Sequence, residues 1–337
     1  MGRFDAHVET TSKEMNMNAI NQRYTTLGLL FLWACAALAQ TAAPGPQEIR
    51  VTLLGTGVGP MGIVARGGIS TLVEAGGDRI FIDAGSGTME RLVQAGFLMD
   101  PPSKLFITHL HSDHIVNVPE LMLFPWTGPS QRKVPFEVWG PRGTREMMRH
   151  LEAAFSFDIH IRRDINEHSS PEGIKVVAHD IHEGIVYERN GVRISAFLVD
   201  HGPVKPAFGY RIDYAGHSIA LSGDTRPSEN LVKHCQGVDV LIHEVIDDQV
   251  VAKRVSDEQL LKAIVGVHTT PEQAGQIFDR VRPKLAVFSH VPTPVDLKRV
   301  SYSGRMELGE DLMAIDVGEQ IRVKRPQANA PSTVPVR

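Results

Sequence analysis

Residues 104–114 read KLFITHLHSDH, and four side chains able to bind a metal fall within six positions: His109, His111, Asp113 and His114. A single histidine after a strand is commonly a polar cap. Four such residues packed this closely would be costly as packing elements, because buried polar and charged groups lose their hydration. As ligands they are apt, since imidazole and carboxylate both suit zinc. The run LFIT ahead of them reads as a strand. Along an extended segment alternate side chains face the same way, so His109 and His111 share one side while Asp113 and His114 turn toward another. That offers two ligand sets to two metals. Two metals about 3.5–4 Å apart can share one water and lower its pKa from 15.7 to about 7, so hydrolysis is the chemistry expected.

The elements that must hold this cluster follow from patterning. The 337 residues are 42% apolar and 22% charged, which excludes a mainly disordered chain, a collagen-like one and a polytopic membrane protein. Net charge is −4, so no global positive field gathers nucleic acid. Two cysteines cannot build a disulfide framework, and 15 histidines are the unusual count. From Ile49 on, IRVTLLG, ISTLVEA, RIFIDAG, KLFITHL, FEVWG, VRISAFLVDHG, FGYRIDYAG, HSIALSGD, VDVLIHE, KLAVFSH and QIRVKR read as strands. Helical spacing is expected over 87–96, 141–155, 271–281 and 304–313, with Pro141 and Pro271 suited to first turns. Such alternation implies helix-covered sheets, an α/β layered fold, in one domain over 49–325 with a flexible tail at 326–337.

Residues 27–39 (LGLLFLWACAALA) are uncharged and mostly apolar, follow Arg23, and end in a small-x-small pattern. This matches a secretory signal peptide over 1–39, and the stretch is shorter than the roughly 20 apolar residues of a membrane span. The true start could equally be Met15 or Met17. Cleavage after Ala39 removes Cys35, leaves Cys235 alone, and makes 40–48 a short linker. The protein is therefore expected in the periplasm or secreted, with no stable membrane span.

The H-x-H-x-D-H run after a strand resembles the metallo-β-lactamase superfamily, and the similarity extends over nearly all of 49–323. The strand-like runs ending at His201, at Asp224 within Ser-Gly-Asp-Thr, and at His290 follow in the family's order. The resemblance implies a four-layer αβ/βα sandwich with two Zn2+ or similar divalent metals. His109, His111 and His201 would hold one metal, Asp113, His114 and His290 the other, and Asp224 would bridge them. His243-Glu244 and His268-Thr269-Thr270 resemble motifs of the ribonuclease Z and arylsulfatase-like branch, which implies that His268 donates a proton with Glu244 supporting it. Asp113, His268 and Glu244 are thus the expected catalytic residues. Asp at 224 lowers the resemblance to β-lactamases that use Cys there.

The remaining features read plainly. Gly55-Thr56-Gly57-Val58-Gly59 is spaced wrongly for a dinucleotide loop. His150, His160, His168, His179, His182, His217 and His234 lack ligand spacing, and His243 reads as a buried hydrogen-bonding residue. Lys205 and Arg226 lie beside ligands and could meet an anionic substrate. The function expected is an exported hydrolase of a small sulfate or phosphate ester, arylsulfatase-like. The alternatives are a ribonuclease Z-type tRNA 3′-processing enzyme and a lactone or thioester hydrolase. Nucleic acid is not the expected partner, because the segment 151–183 carries three basic residues against seven acidic ones. A homodimer is left open.

Overall fold

A computed structural model describes residues 44–59, 66–292 and 294–326, and the leader expected over 1–39 lies outside them. Its first half runs β1 (Ile49–Gly55), β2 (Ser70–Ala75), β3 (Asp78–Ile82), α1 (Thr88–Gln94), β4 (Lys104–Phe106), α2 (Ser112–Ile115), α3 (Val118–Thr127), β5 (Phe136–Gly140), α4 (Thr144–Ala154), α5 (Ser156–His160), a π-helical turn (Ile161–Ile165), α6 (Pro171–Ile174) and β6 (Val176–Asp180). The second half runs β7 (Gly184–Arg189), β8 (Val192–Leu198), β9 (Phe208–Tyr214), β10 (His217–Leu221), α7 (Glu229–Cys235), β11 (Val240–Glu244), α8 (Asp248–Ala252), α9 (Glu258–Val265), α10 (Pro271–Val281), β12 (Leu285–Ser289), β13 (Met306–Leu308), β14 (Met313–Val317) and β15 (Ile321–Lys324). No helix among the described residues is long and apolar enough to cross a membrane.

Two mixed sheets stack face to face. One has the order β15-β14-β1-β2-β3-β4-β5-β6, the other β13-β12-β11-β10-β9-β8-β7. Side-chain alternation sorts each strand into two buried faces. On β11, Val240 and Ile242 join Ile82, Phe106, Tyr210 and Val287 in the core between the sheets, while Leu241 faces outward with Phe278 and Ile277 of α10. Helices α1, α3 and α4 cover the other sheet through Leu92, Leu121 and Met148 against Leu72, Phe81 and Val138. A strand buried on both faces reads as a continuous apolar run, which is why VDVLI and KLAVF stand out in the sequence. The architecture is two sheets flanked by helices.

α10 spans the expected residues. Thr270 accepts from the Gln273 backbone N–H, Gln273 returns a bond to the Thr270 N–H, and Pro271 sits in the first turn. The helix expected over 304–313 does not form. Met306–Leu308 instead pairs in parallel with β12, and Met313 opens β14. Gly309 shows why the backbone lies flat there: a Cβ at that position would stand 2.4 Å from the Phe288 carbonyl oxygen. β6 and β7, one edge strand of each sheet, were not legible because β6 is only half-buried and β7 is mostly exposed, so neither shows a buried apolar run.

Candidate metal centre

β3 and β4 run parallel in one sheet and β10, β11 and β12 in the other, and the residues at their carboxyl ends converge on one mouth. Asp83 follows β3, His109 follows β4, Asp224 follows β10, Glu244 ends β11 and His290 follows β12. The chain then turns sharply. Asp83 and His290 both adopt left-handed backbone (φ 60 and 51), a strained state typical of functional positions. Gly223 (φ 60) precedes Asp224 because a Cβ there would meet the Phe208 carbonyl at 2.5 Å.

The four clustered residues divide as their spacing implies. His109 Nε2 lies 3.0 Å from His111 Nδ1, and His201 Nε2 lies 3.3 Å from the same atom, so three imidazole nitrogens converge. The single turn of α2 swings Asp113 and His114 elsewhere: Asp113 Oδ2 stands 3.8 Å from His114 Nε2 and 3.4 Å from His290 Nε2. Asp224 lies between the two groups. Its Oδ2 is 3.8 Å from His109 Nε2, 3.9 Å from His201 Nε2, 3.3 Å from His114 Nε2 and 3.6 Å from His290 Nε2. All but His111 and Asp113 are buried.

Hydrogen bonds from behind fix which nitrogen faces the mouth. His114 Nδ1 donates to Asp83 Oδ2 (2.8 Å), and His201 Nδ1 donates to the Val267 carbonyl (3.0 Å). The Thr108 hydroxyl donates to Asp83 Oδ2 (2.8 Å) and so accepts from His109 Nδ1 (3.1 Å). Asp83 thus orients two imidazoles, the usual outer partner of a ligating histidine. Sequence reasoning missed it, although an Asp closing the apolar run RIFI was a visible signal.

This donor set fits divalent metal. His114 Nε2 is buried without a hydrogen-bond partner, and its lone pair points toward two carboxylates, an arrangement that only a cation or a proton relieves. Burial holds His109 well below the ordinary imidazole value and lowers His201 and His111, keeping them neutral as ligands must be. His114 goes the other way: burial opposes its charge, but Asp224 and Asp83 overcome that and push it up. Without metal it therefore keeps a proton at neutral pH, and a cation must displace it. Loading metal-free protein with zinc at pH 7 should release protons, measured as a dependence of calorimetric heat on the buffer's ionisation enthalpy. Affinity should rise with pH; heats independent of buffer would contradict this state of His114.

Beside the two groups, His268 Nδ1 meets Glu244 Oε1 at 3.0 Å, and the Thr225 N–H donates to the same oxygen at 2.7 Å. Burial disfavours the His268 cation, but the charge and hydrogen bond of Glu244 push its pKa up to about 9. His268 also lies with His201 and Asp224 in a cluster whose ligand atoms fall within 4.8 Å. Its geometry admits ligation, whereas its protonation favours acid chemistry. His243 is fully buried with Nδ1 donating to the Glu244 carbonyl at 2.7 Å, and faces Phe278 rather than the mouth. Arg226 pairs with Asp200 at 2.8 Å, and His150 and His160 are exposed.

A family model described as the beta-lactamase superfamily domain matches residues 78–291. The ribonuclease Z of Mycobacterium sp. (strain KMS) is 33% identical over 288 residues, covering 82% of this chain and 99% of that protein. The chain belongs to the ribonuclease Z-like branch of the metallo-β-lactamase superfamily. The ribonuclease Z of Mycobacterium avium (strain 104) is 36% identical over 283 residues, 80% of this chain and 98% of its own. Among solved structures, human tRNase Z, short form, superposes on this metallo-β-lactamase-fold hydrolase with TM-score 0.60 at 22% identity, covering 80% and 99% of the two chains. Zn2+-bound PqqB from Methylobacterium extorquens does so with TM-score 0.56 at 16% identity, covering 80% and 100%. Relatives with ribonuclease names run against the expectation that nucleic acid is not a partner.

Proposed function

We propose that this metal-dependent hydrolase is a phosphodiesterase of ribonuclease Z type, cleaving RNA at the 3′ side of a tRNA-like substrate. The observation that carries this reading is the His268–Glu244 pair beside the two ligand groups. An aryl oxygen leaves readily as a stable anion, whereas a ribose oxygen needs a proton as it departs. A buried imidazole held protonated by a carboxylate suits the second kind of leaving group. The names of the mycobacterial relatives support the same substrate.

When bound, two divalent metals supply a water activated at neutral pH and polarise the phosphoryl oxygen. The chain does the rest. His109, His111 and His201 would hold one metal and Asp113, His114 and His290 the other, with Asp224 placed between the two sets. Asp83 and the Val267 carbonyl hold the imidazoles in the ligating tautomer. His268, steadied at Nδ1 by Glu244, presents Nε2 and gives its proton to the leaving oxygen. Glu244→Gln should lower the His268 pKa, because the stabilising charge is gone. Acid catalysis is present below that pKa and lost above it, so the alkaline limb of kcat/KM for an alkyl diester should move from near 9 toward neutrality. An unmoved limb would remove Glu244 from this role.

A second reading, an exported hydrolase of small sulfate or phosphate esters, draws on the segment 151–183. Its three basic side chains are engaged locally: Arg162 with Asp158 and Glu167, Arg163 with Asp164, and Lys175 with Glu172. Little charge is left to meet a phosphate backbone. On that reading residues 27–39 act as a leader, and mass spectrometry of the secreted protein should find Gln40 as its first residue. A panel of precursor tRNA, bis(4-nitrophenyl) phosphate and 4-nitrophenyl sulfate with zinc-loaded protein separates the two. Specific 3′ cleavage of the tRNA supports the first; turnover of the small esters alone overturns it.

A further inference from the structure

Besides His114 Nε2 and His243 Nε2, three polar atoms beside the ligands are buried and have no hydrogen-bond partner: Glu244 Oε2, Ser289 Oγ and His290 Nδ1. Their residues line one cavity of about 30 Å3, together with apolar Ile69, Leu221 and Ile242 and with Asp83, His114 and Asp224 of the metal site. Glu244 and Ser289 are register partners across the parallel pair β11–β12, where strands lie about 4.8 Å apart. Two residues earlier on each strand, Ile242 and Val287 belong to the core between the sheets. Alternation therefore puts the Glu244 and Ser289 side chains on that same inner face.

The three atoms have complementary needs. Glu244 Oε1 is engaged by Thr225 and His268, so Oε2 still requires a donor. His290 turns Nε2 toward Asp113 and Asp224, at 3.4 and 3.6 Å, so when Nε2 serves as a ligand the ring proton is left on Nδ1 and requires an acceptor. The Ser289 hydroxyl can give one bond and take others. A water molecule supplies two donors and two acceptors, needs two to four polar partners, and occupies about 10–15 Å3 on the probe measure. The cavity has that room.

We propose that one buried water joins Glu244 Oε2, Ser289 Oγ and His290 Nδ1, and that Ser289 is a positioning residue anchoring it. The water accepts the His290 Nδ1–H and donates to the Glu244 carboxylate, and its second hydrogen goes to Ser289. It fixes the His290 tautomer that presents Nε2 to the metal site, and it holds the free edge of the carboxylate that supports His268. The ligand imidazole and the proton donor are thereby joined through one solvent molecule. This holds whichever ester the site cleaves.

The sign of a stability change tests it. In metal-free protein, Ser289→Ala should lower Tm by about 2–4 °C, as expected for one lost buried hydrogen bond, and Ser289→Thr, which keeps the hydroxyl, should recover most of that. In a dry pocket the same Ser289→Ala would remove an unsatisfied hydroxyl and raise Tm, or leave it unchanged, and the proposal would fall. A competitive zinc titration reads the effect at the ligand. Ser289→Ala should weaken one of two binding steps by about 10–100-fold, the usual cost of an outer partner, with Ser289→Thr near wild type. Equal affinities in all three proteins would overturn the positioning role. A crystal structure at about 1.5 Å should show one water within about 3.2 Å of all three atoms, and clear density for an empty pocket would count decisively against it.

Discussion

Asp224→Ala should retain well under one equivalent of metal and lose on the order of 10³-fold or more in kcat on every ester, good or poor leaving group alike. The reason is its place between the two groups. Its Oδ2 lies within 3.9 Å of four imidazole nitrogens drawn from both sets. The side chain is 3% exposed, so water cannot take over its charge. Without it the histidine trio His109, His111 and His201 has no carboxylate among the predicted ligands, and His114 loses one of the two anions that shape its protonation. Asp224→Asn keeps the volume and removes the charge, and should lose metal nearly as fully. Elemental analysis gives the metal content, and circular dichroism confirms that both variants fold. Close to two equivalents of zinc in folded Asp224→Ala would sink the dinuclear assignment.

His268→Ala should leave metal content nearly unchanged while kcat on an alkyl phosphodiester falls by about 10²–10⁴. The lost contribution is protonation of the departing oxygen. A nitrophenyl ester, whose leaving group is stable as an anion, should lose far less. This contrast with Asp224→Ala separates a proton donor from a ligand, a distinction that geometry alone leaves open because His268 lies within ligating distance of His201 and Asp224. Loss of a full metal equivalent in His268→Ala, or equal losses on good and poor leaving groups, would reassign it as a ligand. Imidazole added to the His268→Ala cavity offers a further readout, since a small acid that enters should restore part of the rate only on the poor leaving group.

The two predictions rest on residues at very different removes from the sequence. The H-x-H-x-D-H run is legible by itself because one strand and one helical turn position all four side chains, so the geometry is local and follows from backbone periodicity. The same holds for the strands buried on both faces, such as VDVLI, and for α10 with its capping Thr270 and Pro271. His201, Asp224 and His290 were found only as ends of strand-like runs that a family resemblance put in order. Nothing local says that residues more than 80 positions apart meet.

Tertiary structure decided what depends on neighbours across sheets. Asp83 is an ordinary strand-end carboxylate until β3 and β4 pair and bring Thr108 and His114 to it. Ser289 is an ordinary serine until β11 and β12 stand it beside Glu244 over a shared cavity. The segment 304–313 has apolar spacing that suits a helix, yet docking against β12 draws Met306–Leu308 into the sheet, because ladder hydrogen bonds outweigh a weak local preference. Short-range periodicity alone accounts for the layered α/β class and for the four clustered candidate ligands His109, His111, Asp113 and His114. Which nitrogen each imidazole presents, and which carboxylate steadies it, was decided by the stacking of two sheets, since a hydrogen bond is set by approach within about 3 Å and such approach between distant segments exists only in the folded chain.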